Sequence, residues 1–255
     1  LNPTQYGLDR NNTFALAFLY RGLLRYNPET RQVEGDLANC DISKSYAEVK
    51  CIFKKDSEWS DGSKITIEDV LATYSLLAET KTNKKIGGIL SQFAITRDSD
   101  TIVFRAAEAS SEYLELLTLP IIKKSVAEKF RNSTIRPEDS LYSGLYSLEK
   151  QETIPSGTAF FLTQNRKNVK SDHYNRIVLR YYTDTPSLEA SKNILNLIIP
   201  GQTDISPGAR FTKVRLSSPN FIALFQNSER LTGELRRLIS GEVFRSIELS
   251  TKESG

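Results

Sequence analysis

No methionine occurs anywhere in the 255 residues, and there is one histidine, one tryptophan and two cysteines. Each scarcity excludes something. A Ser-His-Asp site would have to run through His173, which lies in the polar stretch Lys170-Ser171-Asp172-His173-Tyr174-Asn175. No G-x-S-x-G elbow accompanies it, so His173 reads as a surface residue. Structural zinc needs four Cys or His ligands at close spacing, and only three such residues exist. No G-x-G-x-x-G or Walker A loop is present, and Gly87-Gly88 stands alone. The chain is therefore not expected to be an enzyme, and no cofactor is expected.

Long apolar runs are also missing. Nothing approaches the ~20 residues of a membrane-spanning helix, and no basic stretch precedes an apolar one in the manner of a signal peptide. The start at Leu1-Asn2-Pro3 without methionine reads as processed or truncated. Charge of one sign is missing too. Thirty-four basic and 31 acidic residues are interspersed to a net +3, which leaves no nucleic-acid footprint. Lys81, Lys84 and Lys85 cluster, and read as a solvated loop. What remains is a globular composition, 39% hydrophobic and 25% charged, sufficient for one large domain or two small ones.

The two cysteines flank a hairpin pattern. Cys40-Asp41-Ile42 leads into a polar turn near Ser43-Lys44-Ser45, and Tyr46 to Phe53 returns. A four-residue loop over 44–47 places Cys40 opposite Cys51, where a disulfide is geometrically allowed and fits an oxidising compartment. A two-residue loop puts Cys40 opposite Val49 instead. A disulfide and two small buried hydrophobes both stay open.

The most informative run is Glu58-Trp59-Ser60-Asp61-Gly62-Ser63-Lys64-Ile65-Thr66-Ile67-Glu68-Asp69-Val70. It reads as a strand end, a tight turn and a capped helix. Asp61-Gly62 supplies a turn-tolerant residue and one that takes positive φ freely. Thr66 stands at an N-cap with Asp69 three residues on, close to the capping-box pattern. Ile67, Val70, Leu71, Tyr74, Leu77 and Ala78 then mark one helix face over about 67–79.

Elsewhere, a helix is predicted from Asn12 or Thr13 to about Leu24, followed by a turn at Tyr26-Asn27-Pro28-Glu29-Thr30. Residues 81–88 read as a Lys/Gly loop. A strand over 101–105, a helix near 111–118 and strands near 159–164 and 177–182 follow, with Ile177, Leu179 and Tyr181 on one face. Thr185-Pro186 starts a helix with proline at its first position, carrying Leu188, Ile194, Leu195 and Ile198. Phe221 to Phe225 reads as a buried strand.

The run at Trp59 resembles the "W/F-x-D-G-x-x-x-T-x-x-D-V" motif of the family 5 extracytoplasmic solute-binding proteins, the peptide- and nickel-binding receptors of ABC importers. Other pieces resemble the same family in the same order. These are Leu1-Asn2-Pro3, then Leu19-Tyr20-Arg21-Gly22-Leu23-Leu24, then Leu37-Ala38, Pro120-Ile121, Ser143-Gly144-Leu145-Tyr146, Gly201-Gln202-Thr203-Asp204-Ile205 and Leu235-Arg236-Arg237-Leu238-Ile239. Leu145 stands where the family usually has proline, Arg21 where it is commonly acidic, and Gln226 precedes Asn227 where "F-N" is usual.

The resemblance implies an α/β, periplasmic-binding-protein-like lobe of mixed sheets with flanking helices, its second lobe missing or truncated. It implies a split first domain at 1–36 and 138–234, an inserted α+β domain at 37–137, and the start of the second lobe at 235–255. It implies an extracytoplasmic, monomeric receptor, periplasmic or lipid-anchored at the cell surface. The receptor would close on an oligopeptide or similar solute and dock on ABC permease subunits. A single-lobe sensor or interaction module of pheromone- or chemoreceptor type is the alternative. Few His and Cys residues argue against a nickel receptor.

For the site, the resemblance points to Tyr6, which follows the opening Leu1-Asn2-Pro3 where the family's ligand borders the chain. Tyr20 and Arg21, placed on the first helix, and Asp204 and Asn227, near the crossover between lobes, are further ligand candidates. An outward helix surface for the first pair, and turn or strand-end capping for the second, stay open.

Overall fold

A computed structural model describes residues 1–195 apart from 9, 28, 29, 31, 80–82, 111, 133–139, 166–173, 192 and 193. His173, Asp204, Asn227, the predicted strand at 221–225 and the helix at 235–239 lie outside the described residues. All described residues belong to the unit Leu1–Ile199.

The architecture is mixed α/β, with three antiparallel sheets and six α-helices among the described residues. A one-turn helix at Pro3–Gln5 precedes α1 (Arg10–Leu19). Strands β1 (Leu24–Asn27) and β2 (Gln32–Gly35) form a two-stranded ribbon. Tyr26 and Asn27, predicted to open a turn, thus lie in β1.

The second sheet has the order β3-β4-β6-β5, from Ala38–Ile42, Glu48–Phe53, Thr101–Ala106 and Phe93–Asp98. Its register places Cys40 opposite Cys51 and Ile42 opposite Val49, so the hairpin loop is the four-residue one. The cysteine sulfurs are bonded, with Cα atoms 4.0 Å apart. Along β4, Val49, Cys51 and Phe53 are buried and the residues between them are not, the period of two expected for a half-covered sheet.

Helix α2 (Ile67–Glu79) forms where predicted. Ile67, Val70, Tyr74 and Leu77 face the main core with Leu71 packed against it, whereas Ala78, expected on the same face, is exposed, and Leu76 packs into a satellite cluster with Ile122, Val126 and Ala127. That satellite lies under α5 (Lys124–Asn132), a helix that local apolar spacing does not announce. Residues 81–88 do not form a loop throughout: α3 runs over Lys84–Leu90. Two central glycines each cost about 1 kcal/mol in a helix, and lysines in the first turn oppose its dipole. Asn83 offsets this by capping, its Oδ1 accepting the Ile86 N–H at 3.2 Å. Ile86, Ile89 and Leu90 are buried.

After the short α4 (Tyr113–Leu117), a third sheet follows in the order β7-β8-β9, from Tyr146–Ile154, Gly157–Gln164 and Arg176–Tyr182. Ile177, Leu179 and Tyr181 all lean on the core. In α6 (Thr185–Ser191) Pro186 is the second residue rather than the first, and none of its side chains is buried. One hydrophobic cluster runs from Leu16 and Leu19 through Leu37, Trp59 and Phe104 to Leu162. Each fully buried side chain of this size contributes about 1.5–3 kcal/mol.

Candidate functional site

The first eight residues are pinned at several points. Asn2 Oδ1 accepts from the Thr4 amide at 3.0 Å and its hydroxyl at 2.8 Å. Asn12 clamps Asn2 by accepting its N–H at 2.8 Å and donating to its carbonyl at 2.9 Å. Gly7 takes φ +79°, a region that suits glycine, and its N–H reaches Thr13 Oγ1 at 2.8 Å. The Tyr6 carbonyl accepts from Asn83 Nδ2 at 2.8 Å. The Tyr6 ring packs against the core half-buried, and burial, then the charge of Glu115, raises its hydroxyl pKa.

Tyr20 and Arg21 do not continue α1. The helix stops at Leu19 because the next backbone groups serve other segments. The Leu19 carbonyl accepts from Ser143 and Gly144, the Arg21 N–H donates to Ser143 Oγ, and the Arg21 carbonyl accepts from Ile121. Gly22 and Gly144 permit this crossing. A Cβ on Gly144 would lie 2.3 Å from the Phe18 carbonyl oxygen, and one on Gly22 2.9 Å from that of Leu24. The expectation of an outward helix surface is therefore corrected. Tyr20 is buried, and the Arg21 guanidinium is held by Asp36 at 2.6 and 2.8 Å and by Ser57 Oγ at 3.0 Å.

Tyr20 lies against a small cleft of about 120 Å³ lined by Leu1, Leu19, Tyr20, Ser140, Tyr142, Leu148 and Gln151. Its ring meets Tyr142 with centroids 5.5 Å apart. Burial, then Tyr142, raises the Tyr20 hydroxyl pKa, and a hydrogen bond with Ser140 pulls the other way. Tyr142 is held by the motif turn: its N–H donates to Ser60 Oγ at 3.1 Å, and its carbonyl accepts from the Ser60 N–H at 2.8 Å. Leu148 and Gln151 are three residues apart on one strand, which normally sends them to opposite faces. A β-bulge between Leu148 and Lys150 reverses the parity, so Leu148 pairs with Leu162 and Gln151 with Phe160 on one face.

Of the sequence-predicted residues, Tyr6 and Tyr20 belong to these two described features, and Arg21 to the scaffold behind Tyr20. Ser140, Tyr142, Gln151, Asp36 and Asn83 were not predicted. Asp36 and Asn83 act through partners 15 and 77 residues away, and the neighbouring Arg21–Ser143 bond spans 122; local pattern carries no signal for that. A cleft of this size accommodates one side chain, not a whole solute, whose sites run to roughly 300–1,000 Å³. Among the described residues no three His, Cys, Asp or Glu side chains converge as a metal site, and no helix is long and apolar enough to cross a membrane.

Antiparallel sheets are thus flanked by helices, and Leu1, at the head of the tethered N-terminal segment, lines the small cleft. The model of the bacterial extracellular solute-binding proteins, family 5 (middle region), matches residues 32–209, and the chain belongs to that family. No curated protein matches it. Among solved structures it is similar to the pheromone receptor PrgZ, whose mode of peptide binding is known, with a TM-score of 0.63 and 16% identity over 76% of this chain and 43% of that one. It is similar to NikZ from Campylobacter jejuni in complex with Ni(L-His), with a TM-score of 0.64 and 18% identity over 76% and 39%. It is also similar to the periplasmic oligopeptide-binding protein OppAIV from Borrelia burgdorferi, with a TM-score of 0.64 and 18% identity over 75% and 43%. The chain thus spans about two fifths of the length of these structures.

Proposed function

We propose that the protein of which this chain forms a lobe binds an oligopeptide or similar small solute outside the cytoplasm and delivers it to an ABC importer, without catalysing a reaction. The family match over residues 32–209 carries this reading. The size of the cleft supports it: one lobe supplies room for a single side chain, and a partner lobe closing by hinge motion supplies the rest. Tyr6 and Tyr20 are the proposed ligand contacts, with Arg21 holding the backbone behind Tyr20. Asp204 and Asn227 are proposed to border the solute at the crossover between lobes. The proposed division into a split domain (1–36, 138–234), an inserted one (37–137) and the beginning of the second lobe (235–255) draws support from the separate four-stranded sheet and helices α2–α5 of residues 38–132.

The experiment is ligand capture by the full-length protein purified from its host. Mass spectrometry of small molecules released on denaturation, and calorimetry with a pool of tri- to pentapeptides, read it out. Co-purified peptides and micromolar or tighter binding are expected. A full-length, folded protein that releases no peptide or similar solute and gives no heat with the pool overturns the reading.

A further inference from the structure

The two ends of one amide connect the N-terminal segment to α3. Asn83 is buried. Its Oδ1 accepts the Ile86 N–H at 3.2 Å, and its Nδ2 donates to the Tyr6 carbonyl at 2.8 Å, 77 residues away in sequence. The amide has one orientation only, because an N–H faces one end and a carbonyl oxygen the other. Asn83 is itself held: its carbonyl accepts the Gly87 N–H at 3.0 Å, and the helix it caps buries Ile86, Ile89 and Leu90. Lys85 of the same helix pairs with Glu115 of α4 at 2.6 Å, which holds the carboxylate whose field reaches the Tyr6 hydroxyl. On the other side, Gly7 is fixed by Thr13. Tyr6 is therefore fixed to the α3 side through its carbonyl and to the α1 side through the next amide.

We infer that Asn83 is a positioning residue for the ligand-facing segment Tyr6–Leu8: it caps α3 with one end of its amide and with the other fixes the Tyr6 carbonyl, so that the tyrosine is presented to the solute in one orientation. This rests on the proposed solute-binding reading. Asn83 does not touch the solute; it acts through Tyr6. A serine cap, with no donor of matching reach, or an aspartate cap, with no donor at all, would serve the helix and leave the carbonyl unheld.

The test uses that difference in the full-length protein. Asn83→Asp keeps an acceptor for the Ile86 N–H, and aspartate caps as well as asparagine. It removes the donor and sets a carboxylate oxygen against the Tyr6 carbonyl. Asn83→Ala loses both bonds. Hydrogen exchange is followed at the amides of residues 6–8 and across α3, alongside affinity for the tri- to pentapeptide pool. In Asn83→Asp, α3 is expected to keep wild-type exchange while residues 6–8 exchange faster and affinity falls about tenfold, the equivalent of one lost hydrogen bond. Asn83→Ala is expected to speed exchange in both places. The inference is overturned if Asn83→Asp leaves residues 6–8 at the wild-type rate, or speeds them with affinity unchanged. If the wild-type protein itself binds no peptide, it is the solute-binding reading that fails. The exchange rates then decide the tether alone, faster at residues 6–8 upholding it and unchanged overturning it.

Discussion

Trp59 and Asp69 share a buried hydrogen bond, the indole N–H donating to Asp69 Oδ2 at 3.2 Å. The same oxygen accepts from the Thr66 amide at 2.9 Å and its hydroxyl at 3.2 Å, while Oδ1 accepts the Lys124 N–H at 2.8 Å. One carboxylate thus ties the turn at 59–62, the start of α2 and the start of α5. Thr73 continues the node, donating to the Asp69 carbonyl and accepting from the Ile122 N–H. The spacing that the family motif records is the spacing this node requires: the tryptophan ten residues before the aspartate, the threonine three before it.

Replacing Asp69 by alanine orphans these donors in a buried place and is expected to lower stability by roughly 3 kcal/mol. The Asp69→Asn variant keeps one acceptor oxygen and is expected to fall between. Trp59 is the sole tryptophan of the chain, so its fluorescence reports this site during urea unfolding. An Asp69→Ala protein with the wild-type midpoint would contradict the account.

The Arg21–Asp36 pair predicts strong coupling. Its side chains are 25% and 11% exposed, so removing either partner leaves a largely desolvated charge, at about 2–4 kcal/mol. Arg21→Met and Asp36→Leu together are expected to destabilise less than the sum of the single changes, with a coupling of about 1–3 kcal/mol in a double-mutant cycle. Additive effects would show that the two charges are solvated independently.

The Cys40–Cys51 bond joins directly opposed residues of β3 and β4, with Cys51 in the core. Cys40→Ala/Cys51→Ala is expected to cost about 3 kcal/mol. Cys51 is fully buried and Cys40 only half-exposed, so reduction requires the hairpin to open, and thiol labelling under dithiothreitol should accelerate steeply with added urea. Labelling independent of urea would mean an open, exposed bond.

Acid should act through Asp61. Burial raises its pKa, but bonds from the Ser63 hydroxyl, Lys123 Nζ and the Ser63 N–H, together with the lysine charge, outweigh that and hold the carboxyl at about 2, below the reference 3.8. A depressed folded pKa means stability present above pH 3.8 and lost as pH falls towards 2. Asp61 is 38% exposed, so screening holds the effect to about 1 kcal/mol or less. Melting temperatures of wild type and Lys123→Met should converge between about pH 4 and pH 2. A constant gap would remove Asp61 as the cause.

Local pattern was sufficient wherever one short stretch carries its own reasons. Helix α2 follows from apolar spacing and its cap. Strands β6, β8 and β9 follow from their β-branched and aromatic runs, and the motif turn from Asp61-Gly62, where Gly62 takes φ +88°. The loop length between the cysteines was one of two alternatives that the sequence left open, and the ladder chose it: Ser43 N–H pairs with the Glu48 carbonyl at 2.9 Å, which leaves four residues between.

Pattern failed where the deciding partner is distant. Apolar periodicity extends α1 to Leu24, but the backbone beyond Leu19 finds better partners in Ser143 and Ile121, so the chain leaves the helix and buries Tyr20. Two glycines and a lysine pair mark 84–88 as a loop, but burial of three apolar side chains and the Asn83 cap make it helical.

By itself the sequence determined the class of molecule: the order of its motifs and the elements whose stability is local. The tertiary structure decided which side chains share a place. Tyr20 meets Tyr142, Gln151 joins Leu148 across a bulge, and Asn83 holds Tyr6. The reason is physical: helix and strand preferences act over a few residues, whereas buried donors, acceptors and charges must find partners wherever the folded chain supplies them.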